Sequence, residues 1–502
     1  MPTKNKKIPD YDVIIVGLGP VGATLANLLG KCGVRTLVLE KEARAYHLPR
    51  AVHFDDEVMR IFQSIGVADA IAEVVRVNVG MRFINKDGAL LMDWPRPQEI
   101  GPNGWYASYR FHQPDIEEIL RHAISRHATV EVKTRTTVLD HSEDTEAVTI
   151  KFTENDGCEV QSVTAAYVVG CDGANSIIRQ FLGSDMEDLG FQERWLVADV
   201  ILKRPRPDLG DFTVQYCDPE RPSTYARSPG DRRRWEIAVL DHEDAEDICR
   251  PATVWQLLSR WISPEDADLE RSAVYTFYSK IASRWRKGRL LIAGDAAHLT
   301  PPFMGQGMCA GIRDASNLAW KLSLAVKGGS DPSLLDSYQS ERSPHTQAYI
   351  QTAIHLGGLI NSMDSKAALN SAFQQPDGSV RMKSIAPPLG AGLGAGKLDS
   401  KRRLFPQFKL TNGMMLDDLI DYRPALLINS LKLPNGAQIA KQLGSSDLRI
   451  ITSNEEPALL DHLEAYGCSA LLLRPDNYIY GLAETEADLR VLLDNVRRET
   501  MS

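Results

Sequence analysis

One stretch near the start restricts the fold more than any other. Tyr11 to Val16 reads as a β-strand, Gly17-Leu18-Gly19-Pro20-Val21-Gly22 follows as G-x-G-x-x-G, Ala23 to Cys32 reads as a helix, and Arg35 to Glu40 as a second strand ending in an acid. This order has a physical cause. Gly17 permits a tight turn, Gly19 lets a pyrophosphate approach the backbone, and Gly22 allows close helix–strand packing. Glu40, with Lys41 beside it, stands about 20 residues on, where an acid can accept hydrogen bonds from ribose hydroxyls. The spacing predicts an α/β fold with a Rossmann-like dinucleotide site. It does not say whether the dinucleotide is FAD or NAD.

The 502 residues leave room for two to four domains. A hydrophobic content of 43% and a charged content of 25% are ordinary for a globular protein in water. The formal net charge of −9 argues against a nucleic-acid partner, and no Lys/Arg block suggests a membrane surface. The 7 cysteines include no C-x-x-C, which fits reduced thiols in a cytoplasmic protein. Lys4, Lys6 and Lys7 before the apolar run Val13–Gly30 imitate a secretion signal. Asp12, Gly17, Gly19 and Gly22 spoil that run as an apolar core, and a strand with a phosphate loop explains it better. No other stretch is long and apolar enough to span a bilayer.

Two later segments repeat one design. Leu290 to Ala293 is an apolar run that stops at Gly294-Asp295, and Met308 to Leu324 carries apolar residues at helical spacing. Gly305 and Gly307 lie just before that helix, where the free N–H groups of its first turn attract negative charge. An acid such as Asp295 can bind a polyol hydroxyl, while those N–H groups hold an electron-rich carbonyl edge; a flavin offers both. Gly-Asp alone fits equally well with a structural aspartate in an ordinary crossover. Tyr167 to Gly170 likewise leads into Cys171-Asp172-Gly173-Ala174-Asn175-Ser176 and a helix carrying Arg179. Asp172 is also placed to cap that helix.

Taken together, Gly17–Gly22, Cys171–Ser176 and GDAAHLTPPFMGQG (294–307) resemble, in order and spacing, the motifs of the FAD-dependent aromatic hydroxylases, the single-component class A flavoprotein monooxygenases. The phrase from Pro301 to Asp314 is most similar to the 3-(3-hydroxyphenyl)propionate hydroxylase group. The resemblance implies a monooxygenase in which NADH or NADPH, a transient co-substrate without a fingerprint of its own, reduces FAD. Dioxygen then forms a flavin hydroperoxide, whose distal oxygen passes to an electron-rich ring. The implied substrate is a phenol such as a hydroxyphenyl carboxylic acid or a dihydroxybenzene, and the implied assembly is a homo-oligomer, a dimer. By the same resemblance Gly17, Gly19, Pro20, Val21, Gly22, Glu40, Lys41 and Arg50 serve the ADP half of FAD. Gln113, Asp172, Gly173, Gly294, Asp295, Pro302, Gly305, Gly307 and Met308 serve the ribityl and isoalloxazine half. The Pro302 backbone carbonyl is the one catalytic candidate, orienting the phenol hydroxyl. His298 reads as a packing residue, and no metal-ligand cluster is visible. His53 and His242 stand where the group's pattern has smaller residues, which bears on the substrate.

The expected organisation is an FAD-binding domain (1–76, 105–185 and 286–345) interleaved with a substrate-binding β-sheet domain (77–104 and 186–285). A helical and linker segment (346–398) and a thioredoxin-like C-terminal domain (399–502) follow. Without C-x-x-C the last has no thiol–disulfide chemistry. In the β-rich part, Tyr216, Tyr225, Arg227 and Trp235 are candidates for the substrate pocket wall. Two rival functions keep the flavin: a halogenase or reductase, and a redox-silent flavin-binding protein. The halogenase W-x-W-x-I-P element is absent, since Trp94-Pro95 and Trp285 both lack the second tryptophan.

Overall fold

Three large sheets and a small one (His53–Asp55, Ser108–Arg110, Arg76–Val77) carry the structure, a computed structural model that describes residues 8–45, 48–155, 157–328, 331, 333–360, 365–394 and 403–500. Lys4, Lys6, Lys7 and the ends of the expected C-terminal unit (399–402, 501 and 502) lie outside the described residues. So do residues 395–398 of the expected linker.

The first sheet runs Arg286–Lys287, Leu290–Ile292, Gln161–Gly170, Tyr11–Val16, Thr36–Leu39, Val130–Lys133, and the hairpin Thr136–Glu143/Val148–Glu154 joins it through Gln161–Gly170. Its inner strands are continuous apolar runs because helices cover both faces, as parallel sheets require. Leu39 pairs with Val16, Val16 with Gly170, and Gly170 with Ile292. These four parallel strands therefore end flush, and the turns after them emerge along one edge. Carboxyl edges of open α/β sheets are where such folds bind ligands. Helix Pro20–Lys31 lies against helix Gly307–Lys327 at very short range. A Cβ on Gly311 would sit 2.5 Å from Val21 Cγ2 and 3.0 Å from Gly294 Cα.

The second sheet is ordered His298–Leu299, Ala267–Ala282, Met186–Leu202, Arg232–Ala238, Ser223–Arg227, Thr213–Cys217, Gly80–Asn85, Leu90–Pro95. Alternation of side chains gives it two faces. On one, Trp235, Tyr225 and Ile237 form a core with Ile248, Val254 and Leu258 of two short helices. The other faces the first sheet's ligand edge. His298–Leu299 joins this sheet from within the block expected to belong wholly to the nucleotide unit. The expected boundary at 345/346 falls inside one helix, Ser333–Ile360, which continues past Pro344. Leu369 of the following helix packs with Leu91, Met92 and Trp94, so this segment covers the second sheet instead of merely linking domains.

In the C-terminal sheet Arg449–Thr452 pairs parallel with Ala425–Ile428, and Ala470–Leu473 and Ile479–Ala483 add antiparallel strands. Helices cover both faces: Leu426, Ile428 and Leu472 pack with Ile439 and Leu489, while Leu427, Leu471 and Leu473 pack with Leu416, Leu459 and Leu463. That is a thioredoxin-like arrangement. No helix among the described residues is long and apolar enough to cross a membrane.

Candidate functional site

The flush edge gathers the glycine-rich loop and both acid-bearing turns. Gly17 has φ +102°, and a Cβ there would meet Cys171 O at 2.4 Å; one on Gly22 would meet Gly17 O at 2.0 Å. A Cβ on Gly19 would meet nothing within 4 Å. The outer glycines are thus required by packing, while the middle one keeps a surface clear for approach from outside. Helix Pro20–Lys31 starts beside it with no side chain capping its first turn, which leaves N–H donors for a phosphate. Buried Glu40 accepts from Leu18 N at 2.6 Å and Glu42 N at 2.8 Å. With one bond to each oxygen, further acceptor capacity remains. Lys41 is exposed.

Asp172 accepts from Ser176 Oγ (2.5 Å), Ile177 N (2.7 Å) and Ile178 N (3.2 Å), so it does cap the helix after it. Burial raises its pKa in spite of these bonds. Gly173, at φ +79°, again has nothing within 4 Å of a built Cβ. Arg179 donates to Ala174 O (2.7 Å) and Ala296 O (3.0 Å), lashing the Asp172 turn to the Asp295 turn. Ala293 N reaches Gly170 O at 2.9 Å between the same two segments. Gly294 N donates to Asp314 at 3.1 Å. Asp314 also holds His298 Nε2 at 2.6 Å and Arg342 Nε at 2.9 Å. Burial works to raise the Asp314 pKa, but His298 and Arg342 outweigh it and hold it below the usual value. Asp295 is exposed to solvent, though protein crowds the edge around it. That crowding raises its pKa, against the pull of His298 and Arg50.

The third part of the edge is the loop into helix Gly307–Lys327. Pro302–Met304 forms one 3-10 turn, Gly305 N donates to Pro302 O at 2.8 Å, and Gly305 adopts φ +62°. No side chain caps the helix. The Gln306 side chain turns away instead, donating to Asp55 Oδ2 and accepting from Arg313, each at 3.1 Å. Gln113 accepts from Arg50 N (2.9 Å) and Ala51 N (2.8 Å) and donates to Glu117 (2.6 Å), so its amide holds the Arg50 loop in place. Arg50 O in turn accepts from Arg234 of the second sheet at 2.9 Å.

Between this loop and the second sheet lies a cavity of about 70 Å³. Pro302, Phe303, Met304 and Gly305 line it from the loop, Met81, Trp94, Thr213, Gln215, Thr224, Ala226 and Glu236 from the second sheet, and His53 and Arg110 from a small sheet in which these two residues pair, with Val52, Asn78 and Arg96 also lining it. Tyr216, Tyr225, Arg227 and Trp235 do not line it. Each sits one position from a lining residue, and strand alternation sends it to the opposite face. There Tyr216 accepts from Trp261 Nε1 at 2.8 Å, Tyr225 and Trp235 pack at a tilt of 48° with centroids 5.1 Å apart, and Arg227 pairs with Asp211. Their neighbours Gln215, Thr224, Ala226 and Glu236 face the cavity instead. No sequence signal marked this parity, because aromatic residues suit a covered sheet face as well as a ligand pocket.

His53 is fully engaged: Nδ1 faces Gly305 O at 3.2 Å and Nε2 faces Ser108 Oγ at 2.8 Å, which Asn78 Nδ2 reaches at 2.9 Å. A carbonyl only accepts, so Nδ1 carries the proton and Nε2 accepts from Ser108. Burial, then Arg110 and Arg96, lowers the His53 pKa to about 3 and keeps the ring neutral. Burial also brings Arg96 and Arg110 down to about 10, still cationic near neutrality. Arg110 donates to Thr213 Oγ1, while its Nε is buried without a partner. Burial raises the Glu236 pKa against Arg234 and Arg110.

Comparison with known proteins accords with this geometry. The family described as FAD binding domain matches residues 10–353. A probable NADH-specific resorcinol 4-hydroxylase of Rhodococcus jostii is 36% identical, over 95% of this chain and 93% of its own. A 3-(3-hydroxy-phenyl)propionate/3-hydroxycinnamic acid hydroxylase of Burkholderia cenocepacia is 38% identical over 69% of this chain; the match spans 63% of that longer protein. Aklavinone-11 hydroxylase, solved with FAD and aklavinone, superposes with a TM-score of 0.84 at 22% identity, covering 98% of this chain and 99% of that one, and shares the fold through the C-terminal domain. The chain belongs to the FAD-binding family of flavoprotein aromatic hydroxylases, the NAD(P)H-dependent single-component monooxygenases.

Proposed function

We propose that the chain hydroxylates a small one-ring phenol held in the cavity between the Pro302–Gly305 loop and the second sheet. The observation that carries this reading is the shared wall: residues of the loop assigned to the flavin and residues of the sheet enclose one space. FAD fits the edge beside it. Gly19 and the Pro20–Gly22 turn would receive the pyrophosphate, Glu40 the ribose, and Arg50 the outer phosphate face, with Lys41 at the rim. Gln113 would act by holding the Arg50 loop. Asp172, Gly173, Gly294 and Asp295 would meet the ribityl chain, and Gly305, Gly307 and Met308 the electron-rich edge of the ring system. When bound, FAD supplies the redox chemistry that takes electrons from the nicotinamide donor and passes one oxygen atom of dioxygen to the substrate.

The protein's own task is to activate, orient and shield the ring. Oxygen transfer to an aromatic ring is easier the more electron-rich it is, so a phenolate is a better acceptor than a phenol. Arg110 and Arg96 surround the cavity with positive charge, which favours an ionised oxygen on the guest. Neutral His53, fixed by Gly305 and Ser108, adds no competing charge. Pro302, with its carbonyl at the loop, is the residue assigned to orienting the hydroxyl. The small cavity and its apolar members Trp94, Phe303 and Met304 favour one ring and limit water. Resorcinol and a hydroxyphenylpropionate, the substrates named for the two relatives above, are the first candidates. NADH is the donor to test first. All seven cysteines are free, which supports a reducing, cytoplasmic setting; a homodimer is the proposed assembly.

The test is a panel of dihydroxybenzenes and hydroxyphenyl carboxylic acids, scored for faster NADH and NADPH oxidation and for product mass. Gain of one oxygen atom with at least one phenol supports the reading. FAD-loaded protein whose donor oxidation no phenol accelerates would overturn it and favour the redox-silent alternative.

A further inference from the structure

The C-terminal domain reaches toward the flavin loop through an unbroken line of buried and part-buried polar groups. Its turn Arg474–Tyr478 wedges against helices Gly307–Lys327 and Ser333–Ile360. Arg474 pairs with Glu341 at 2.9 Å and Asp476 accepts from Asn317 at 3.2 Å. Most of these contacts only dock the domain. Tyr478 does something different. Its hydroxyl donates to Glu57 Oε1 at 2.8 Å, and Glu57 Oε2 takes Arg313 Nε at 2.5 Å. Arg313 continues to Asp55 Oδ2 at 2.6 Å and to Gln306 Oε1 at 3.1 Å, while Gln306 Nε2 returns to Asp55. Tyr478, Arg313 and Gln306 are all buried.

The end of the line matters most. Gln306 stands between Gly305 and Gly307, immediately before a helix that no side chain caps. Released from its partners, the Gln306 amide is free to turn toward the unsatisfied N–H groups of that first turn. Arg313 and Asp55 hold it back, so the first-turn N–H groups stay available to an acceptor from outside.

We propose that Tyr478 is a positioning residue for the flavin site: acting through Glu57 and Arg313, it keeps the Gln306 amide off the helix N-terminus that receives the electron-rich edge of FAD. The C-terminal domain, which has no dithiol motif, thereby completes the cofactor site without touching it. Removing the hydroxyl leaves Glu57 with one oxygen short of a donor, and a part-buried carboxylate in that state recruits other partners. Arg313 is the nearest cation, and its shift releases Gln306. This inference rests on the assignment of Gly305–Met308 to FAD.

The experiment compares FAD release from holoenzyme, the visible flavin spectrum, and the split between KM for the phenol and kcat. Tyr478→Phe should weaken FAD retention at least fivefold, alter the flavin band and lower kcat, with KM for the phenol within twofold of the parent. Glu57→Gln should do the same, and the Tyr478→Phe/Glu57→Gln double variant should be no worse than Glu57→Gln alone. Asn477→Gly is the control for docking. It breaks the neighbouring bond from Asn477 to Asp417 (2.9 Å) at a residue with φ +62°, and should lower stability while leaving FAD retention unchanged. Tyr478→Phe within twofold of the parent in retention and spectrum overturns the proposal, as does equal loss in Asn477→Gly. Gly305→Ala separates the two levels of the argument. If it leaves FAD retention intact, the loop assignment and the proposal both fall; if it weakens FAD while Tyr478→Phe does not, only the proposal falls.

Discussion

At the scale of single residues, side-chain parity along a strand decides which residues face the cavity proposed for the substrate. Gln215 and Tyr216 are neighbours, yet one faces the cavity and the other packs under Trp261. Gln215→Ala should therefore raise KM for the phenol about fivefold or more. Tyr216→Phe should leave KM within twofold while costing about 1 kcal/mol of stability for the lost bond; steady-state kinetics beside urea unfolding checks both. His53 makes a second residue-level case. Its folded pKa of about 3 lies below its ordinary 6.5, so the unfolded chain binds the proton first as pH falls. Its stabilising contribution is complete above pH 6.5 and is lost as pH drops toward 3. The stability of the parent should thus fall more steeply from pH 7 to 5 than that of His53→Gln, as read by urea midpoints at the two pH values.

Among elements, the crossing of helices Pro20–Lys31 and Gly307–Lys327 sets the distance between the two helix N-termini assigned to FAD. Gly311 and Gly294 close around Val21, leaving no room for a methyl group. Gly311→Ala should push the helices apart, costing about 1–3 kcal/mol and weakening FAD retention severalfold. Val21→Ala removes the methyls that collide, so the double variant should recover part of both losses. Thermal unfolding and flavin release measured on all three variants check this, and no recovery would mean the strain lies elsewhere. The Asp314 cluster acts at the same scale. Asp314, a buried acid on that helix, fixes the Gly294 turn from behind.

For the whole molecule, docking of the C-terminal domain depends on buried charge. Glu341 holds Lys321 at 2.7 Å and Arg474 at 2.9 Å. Glu341→Ala strips Lys321 of its carboxylate in the interior and leaves Arg474 with Asp476 alone, at 2.6 Å. Losses of this kind cost about 3–5 kcal/mol. We expect the variant to unfold at markedly lower urea, with the transition splitting as the C-terminal domain separates from the rest; a single transition at the parent's midpoint would contradict this role.

Much of this protein was written in short-range patterns. The strand–G-x-G-x-x-G–helix–strand–acid order, the two strand–turn–acid segments and the alternation in the β-rich part depend on local geometry, which neighbouring residues dictate. Those features gave the α/β fold and the segments along the sheet edge, while the FAD family came from the resemblance of the three motifs to known hydroxylases. Other features follow from contacts between residues far apart in sequence. Which face of the second sheet meets the flavin loop depends on what covers the other face, and two short helices took the aromatic side. The uses of Gln113, Gln306, His53 and Asp314 likewise follow from partners dozens to hundreds of residues away. Local pattern fixes what each segment is; only tertiary packing, through burial and the need to pair every buried polar group, decides which of its side chains face the cavity.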